Sequence, residues 1–307
     1  MSVGQSVDTT AVSVALTGKP GGIGRRRRAR GKPGSAWGAF LRKPVTRIFL
    51  PIVAFFAVVA IVGPFVVGDP SAAAYPSVMP PSAEHPLGTD HLGRDYLARV
   101  VHGSQVSLLV GFSVAVLCMT IGVVVGGLAG YYRGFIDVAL VKVAEFFQVF
   151  PGLVVALVAA ALIGSNVVII VVILSVTMWP SVARIVRAEA MRISQLGYVE
   201  SARAAGFRGL RILWSDVIPN AMPPVLVATT MTVGRAILVE SGLAFLGVGD
   251  ANRPSWGALL NAAQAHLRDG WWLALFPGLC IFVVVLAVNM LGDALNDAFN
   301  PTIGRVK

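Results

Sequence analysis

The chain has 307 residues, 56% of them apolar and only 13% charged, with a mean hydropathy of +0.76. A soluble domain carries about 25% charged residues, so this composition excludes soluble, disordered, collagen-like and disulfide-stapled classes and leaves a chain solvated by lipid. The net charge of +10 would raise nucleic-acid binding in a soluble protein; here it acts first as a topology signal, and no nucleic-acid partner is expected.

Residues 1–44 are polar and carry the run Arg25-Arg26-Arg27-Arg28, then Arg30 and Lys32, which predicts a disordered, basic cytoplasmic tail. The basic run lies too far from the N-terminus, and the apolar stretch after it is too long, for a secretory signal. A first membrane span is predicted over about 48–68, its internal prolines tolerable in a buried membrane helix.

From 69 to 104 the chain turns polar, and Pro70, Pro76, Pro80, Pro81 and Pro86 forbid a long helix before a short amphipathic one over 94–102. Further spans are predicted over about 105–130, 138–163, 167–183, 219–246 and 272–295, six in all, making one membrane domain of 45–307. Gly122, Gly126 and Gly130 recur at four-residue spacing, so one stripe of the second span is bare and suited to close helix packing, within the chain or against a partner. Cys118 and Cys280 sit in apolar runs and are expected as small core residues.

Only one connection is long and basic, 184–218, with Arg184, Arg187, Arg192, Arg203, Arg208 and Arg211. An even number of spans puts both termini on one side, and assigning that side to the cytoplasm places twenty Lys and Arg inside against four outside, with Arg235 within a span. That asymmetry orients the chain with both termini inside. Within the connection, Glu200, Ser201, Ala202, Ala204 and Ala205 form a helix with a thin face that Gly206 ends by supplying a left-handed backbone position. A second amphipathic helix over 210–218, with Ile212, Leu213 and Trp214, follows before Pro219 opens the next span. Helix, glycine turn and helix make a rigid projection that fits a partner's groove, or, with no partner, an interfacial hairpin.

The sequence holds no phosphate-binding G-x-x-x-x-G-K-[ST] loop, no H-E-x-x-H pair, no G-x-S-x-G turn and no C-x-x-C pair, so no catalytic or metal-binding residues are assigned. His85, His91, His102 and His266 all fall in outer segments without ligand spacing and are expected as solvated loop residues. Ionisable groups inside spans are costly unless they face protein or water. Arg235 and Glu240 in the fifth span, Glu145 in the third, and Asn289 and Asp293 in the sixth therefore either line a polar translocation pathway or join helices by hydrogen bonds.

Several blocks carry a family resemblance covering about 45–307. Glu200-Ser201-Ala202 with Gly206 resembles the E-A-A-x-x-x-G coupling motif of ABC importer permeases, with Ser201 where Ala is usual. His85-Pro86-Leu87-Gly88-Thr89-Asp90, Gly93-Arg94-Asp95 and Ser107-Leu108-Leu109-Val110-Gly111 resemble the C-type permease of dipeptide and oligopeptide importers. Glu240-Ser241-Gly242-Leu243-Ala244-Phe245-Leu246-Gly247, Pro254-Ser255-Trp256-Gly257 and Asn289-Met290-Leu291-Gly292-Asp293 do so too. Between them the chain departs: Val248-Gly249-Asp250-Ala251-Asn252-Arg253 stands where the family usually has a proline pair, so the outer vestibule is expected to differ.

The resemblance implies a type I importer permease fold of six transmembrane helices in a bacterial plasma membrane. It also implies a second, related permease, two ATPase subunits that bind the ATP and magnesium, an extracytoplasmic binding protein, and peptide as substrate. Coupling would fall to Glu200, Ser201, Ala202, Gly206 and Pro219. A nickel or other small-solute importer shares the blocks; an intramembrane enzyme or a purely structural membrane protein are the readings from other classes.

Overall fold

A computed structural model describes residues 33–149, 151–250 and 252–299, so Arg25–Arg28, Arg30 and Lys32 lie outside the described residues. The described part is helical, with two isolated β-bridges near residues 73–95.

Helix α1 (Pro33–Arg42) lies within the segment expected to be disordered. Trp37, Phe40 and Leu41 recur at helical spacing, and Phe40 buries against Leu291, Ala294 and Leu295 of the last helix, giving the segment an apolar contact that composition alone does not reveal. Lys43 Nζ, just beyond it, pairs with Asp297 at 2.9 Å. Helix α2 (Pro44–Val66) accommodates Pro51 and Pro64.

Helix α3 (Tyr96–Tyr132) is the central element, packing against α2 and most of the helices that follow it. The short helix expected over 94–102 is not separate: Asp95 caps α3, its Oδ2 accepting the Ala98 N–H at 3.0 Å, and the helix runs unbroken into the second span. Gly103, within the unbroken helix, is a close approach, since a Cβ there would lie 3.1 Å from the Trp256 ring.

The third span expected over 138–163 is two helices, α4 (Gly134–Val149) and α5 (Gly152–Ile163), set at 76°. Pro151 begins α5 without an N–H to continue α4. Among the described residues, five helices are long and apolar enough to cross a membrane, and the bent pair makes a sixth when taken as one span.

Helix α6 (Val167–Ile193) extends ten residues beyond the expected span, because Val186, Ala190 and Ile193 continue the buried stripe that faces α3. Added Cβ atoms at Gly122, Gly126 and Gly130 would come within 2.8, 2.3 and 2.5 Å of Val182, Ala183 and Arg187 respectively, so the glycine stripe joins α3 to α6 within this chain. Then come α7 (Gly197–Ala204), α8 (Gly209–Ile212), a π-helical turn (Leu213–Val217) and α9 (Ile218–Phe245). The amphipathic helix expected over 210–218 is therefore the direct lead-in to α9. Helix α10 (Trp256–Ala263), which the hydropathy pattern does not announce, precedes α11 (Trp272–Phe299).

Candidate functional site

Three places carry the residues singled out by the sequence. The first is the hairpin α7–α8, at the end of the bundle where α3 and α6 finish. Val199 is fully buried and anchors α7, Ala202 is partly buried against the same core, and Glu200 and Ser201 are exposed. The Gly206 N–H donates to Arg203 O at 3.0 Å and the Phe207 N–H to Ala202 O at 3.2 Å, with Gly206 at φ +81°. That pair of bonds is a Schellman stop, which sets the angle between the two short helices. The Arg203 guanidinium lies over the Tyr131 ring at 4.9 Å, tying α7 to α3, and Arg211 lies over Phe207 at the same distance. Tyr198, Phe207, Leu210 and Trp214 are 40%, 48%, 55% and 46% exposed, and Pro219 in the first turn of α9 is exposed too. A rigid projection bearing that much uncovered apolar surface is built to be covered.

The second place is a groove between α6 and α9. Ser181 and Ile185 face Met231 and Arg235 across a hollow of about 160 Å³, and Glu189 and Arg192 face Asn220 and Pro224 across a second of about 420 Å³ nearer the hairpin. The α6 residues lie three or four apart and the α9 residues four or seven apart, so both hollows follow one strip of each helix. Arg235 is exposed there and, among the described residues, pairs with no acid.

The other four candidates sit elsewhere. Glu240, five residues from Arg235 and therefore on another face of α9, is 1% exposed. Its Oε2 accepts from Ser107 Oγ at 3.3 Å and Ser241 Oγ at 3.4 Å, and Ser107 Oγ in turn accepts the Trp256 N–H at 3.2 Å. Glu240 thus sits in a seam joining α3, α9 and α10. Asn289 packs on the backbone of α9, its Oδ1 3.1 Å from where a Gly234 Cβ would stand. Glu145 pairs with Lys142 at 2.8 Å on the surface of α4, and Asp293 is exposed.

The third place is the segment before α3. Asp90 is nearly buried; its carboxylate accepts the Leu92 and Arg94 N–H groups at 2.9 and 3.0 Å, the Arg94 guanidinium at 2.7 Å, and a short contact from Arg99. Thr89 Oγ1 donates to Pro76 O and accepts the Met79 N–H, both at 2.8 Å. Gly88 and Gly93 have φ of +76° and +72°, and a Cβ on either would strike Met79 O or Tyr75 O. The motif Gly88-Thr89-Asp90 with Gly93-Arg94-Asp95 is accordingly a fastener that folds the preceding loop onto the start of α3.

Sequence reasoning missed three features. His85, expected to be solvated, is buried with Nδ1 3.3 Å from Asp95 Oδ1. The His91 and His266 rings, remote in the chain, stack 4.9 Å apart. Asp137 and Arg187 form a two-pronged pair of 2.5 and 2.7 Å that fastens α4 to α6. Opposite charges in helix-forming stretches were the available signal for the last, but nothing local says which partners meet.

Residues 122–305 match the family described as "Binding-protein-dependent transport system inner membrane component". The chain is 37% identical over 276 residues to the dipeptide transport system permease protein DppC of Bacillus subtilis, covering 88% of this chain and 86% of that one. It is 38% identical over 224 residues to the glutathione transport system permease protein GsiD of Pectobacterium atrosepticum, covering 73% and 74%. In three dimensions it resembles a chain of the MetNI methionine ABC transporter, with a TM-score of 0.53 at 17% identity over 65% of this chain and 95% of the other.

Proposed function

The chain belongs to the family of binding-protein-dependent transport system inner membrane components, and from that premise we propose that it is the permease subunit of an ATP-driven importer of di- or oligopeptides. It is a multi-pass membrane protein with an ABC importer permease fold, and a transport subunit rather than an enzyme. Peptide as the solute is supported by the names of relatives such as the Bacillus subtilis dipeptide permease.

The observation that carries the reading is the hairpin: a projection locked at its turn by Gly206, anchored by Val199, and presenting Glu200 beside uncovered aromatic side chains. In this proposal it seats in one of two ATPase subunits, which bind the nucleotide and magnesium. Glu200 and Ser201 meet the ATPase groove, and the part-buried Ala202 with Pro219 transmits its movement to the bundle. A second, related permease faces the α6–α9 strips and completes the pathway that Arg235 borders. An extracytoplasmic binding protein delivers peptide at the opposite end, and both termini are cytoplasmic in a bacterial plasma membrane. ATP binding closes the ATPase pair, carries the hairpin with it and turns α6 and α9 so that the pathway opens outward; hydrolysis returns it.

The test is reconstitution of the chain with its neighbouring permease, ATPases and binding protein in proteoliposomes. Uptake of radiolabelled dipeptide that requires both ATP inside the motor compartment and loaded binding protein is the expected result. ATP-dependent uptake of another solute with no peptide transport would overturn the substrate, and absence of any ATP dependence would overturn the importer.

A further inference from the structure

At the end of the bundle opposite the hairpin, a hollow of about 340 Å³ lies between the start of α3, the turn after α9 and α10. Its size falls in the roughly 300–1,000 Å³ range of small-molecule sites. Two features of its walls set its chemistry.

One wall holds Arg94 and Arg99. Both guanidinium groups lean on the single carboxylate of Asp90, so one negative charge serves two positive ones. The Nε–H of Arg99, enclosed by protein, finds no acceptor, so Asp90 does not satisfy it. Each guanidinium thus has only a share of one carboxylate as its ion-pair partner on this wall.

The other wall holds Asp250, with Ser165, Asn252 and Asn261 completing a polar lining. The Asp250 carboxylate accepts the Asn252 N–H at 2.9 Å and the Val167 N–H at 3.3 Å, which fix its position without neutralising it. Among the described residues it pairs with no Lys or Arg.

A half-enclosed space with an unmatched positive wall facing an unmatched negative one suits a zwitterion; a simple anion or cation would leave one wall unanswered. We propose that this hollow is a receiving subsite for peptide, with the α-carboxylate at the Arg94–Arg99 wall and the α-ammonium at Asp250. The subsite rests on the peptide-importer reading. Asp250 lies where the sequence departs from the usual family phrase, so the subsite gives this permease a selectivity for a free N-terminus that sequence resemblance does not carry.

The experiment uses the full reconstituted assembly with saturating binding protein loaded with alanyl-alanine, so that loading is constant. In Asp250→Asn and, separately, Arg94→Gln, uptake should fall at least about tenfold, as expected when one partner of a desolvated charge contact is lost. Stimulated ATPase activity should stay within about twofold of the parent, and Asp250→Glu should restore most uptake. Parental uptake in both variants overturns the subsite alone. Parallel loss of stimulated ATPase activity and uptake overturns it too, and assigns the hollow to binding-protein docking. A parent assembly that moves no peptide overturns the peptide reading and the subsite with it.

Discussion

Ser107 of α3 and Glu240 of α9 meet at 3.3 Å in the interior of the bundle, and the same serine oxygen receives the Trp256 N–H of α10. Helix α3 is thus held to the consecutive helices α9 and α10 at one buried carboxylate. Glu240→Ala should cost about 2–4 kcal/mol, since it empties buried volume and leaves two serines without an acceptor. Glu240→Gln, which keeps shape and an accepting oxygen, should cost less. Thermal denaturation of the purified assembly measures both, and the residual uptake should keep the parental ratio of acidic, basic and neutral peptides. A changed ratio would return Glu240 to the pathway.

Arg235 behaves oppositely. It is exposed on the strip of α9 that borders the groove, so Arg235→Ala should leave the melting temperature nearly unchanged. Uptake should become less favourable for peptides with acidic side chains by several-fold, the scale of one exposed or partly desolvated charge contact, about 0.5–1.5 kcal/mol. Competition among acidic, neutral and basic peptides reads this directly; an unchanged profile removes Arg235 from the pathway.

The α3–α6 seam depends on the absence of side chains. Gly126→Ala would place a Cβ 2.3 Å from Ala183 O, a backbone atom that cannot swing aside, whereas Gly242 in α9 has open space around it. Gly126→Ala should therefore destabilise by about 1–3 kcal/mol or more through forced separation of the helices. Gly242→Ala should be neutral or slightly stabilising, by up to about 1 kcal/mol. Comparing the melting temperatures of the two variants tests the seam; equal values would refute it.

At the hairpin, Gly206 has nothing within 4 Å of its missing Cβ, so substitution there acts through the backbone alone. Gly206→Val should strain the φ +81° turn by about 1–3 kcal/mol, while Gly206→Asn, which tolerates the left-handed region, should be mild. Gly206→Val and Glu200→Arg are expected to abolish uptake and weaken ATPase association without altering the binding protein's affinity for peptide. Parental stimulated ATPase activity and uptake in both would dismiss the hairpin as the coupling element.

Orientation follows from the asymmetric basic residues. Alkaline phosphatase fused after residue 80 should be active, and after residue 205 inactive; the reverse at either position contradicts six spans with internal termini.

Those expectations draw unequally on sequence and structure. Apolar runs of membrane-spanning length, the stop at Gly206 and the bareness of the Gly122–Gly130 stripe are properties of neighbouring residues, governed by hydropathy, helical period and backbone sterics, and the sequence alone determines them. It did not reveal the break at Pro151, the extension of α6 to Ile193 or the order in α1, because each depends on what packs alongside: Pro151 ends a helix only where neighbours accept the bend, and Phe40 orders α1 only because α11 offers a groove. Tertiary structure likewise decided between residues that the chain presents alike. Arg235 and Glu240 read alike as charges in one span, yet five residues turn them to different faces, one to the groove and one to a seam with Ser107. The charges of Asp90, Arg99 and Asp250 carry equal weight in the linear chain and become unequal only when folding places two guanidinium groups on one carboxylate and another carboxylate on the far wall of the hollow. Long-range pairing of this kind depends on three-dimensional proximity, which a linear pattern with a period of 3.6 residues cannot encode.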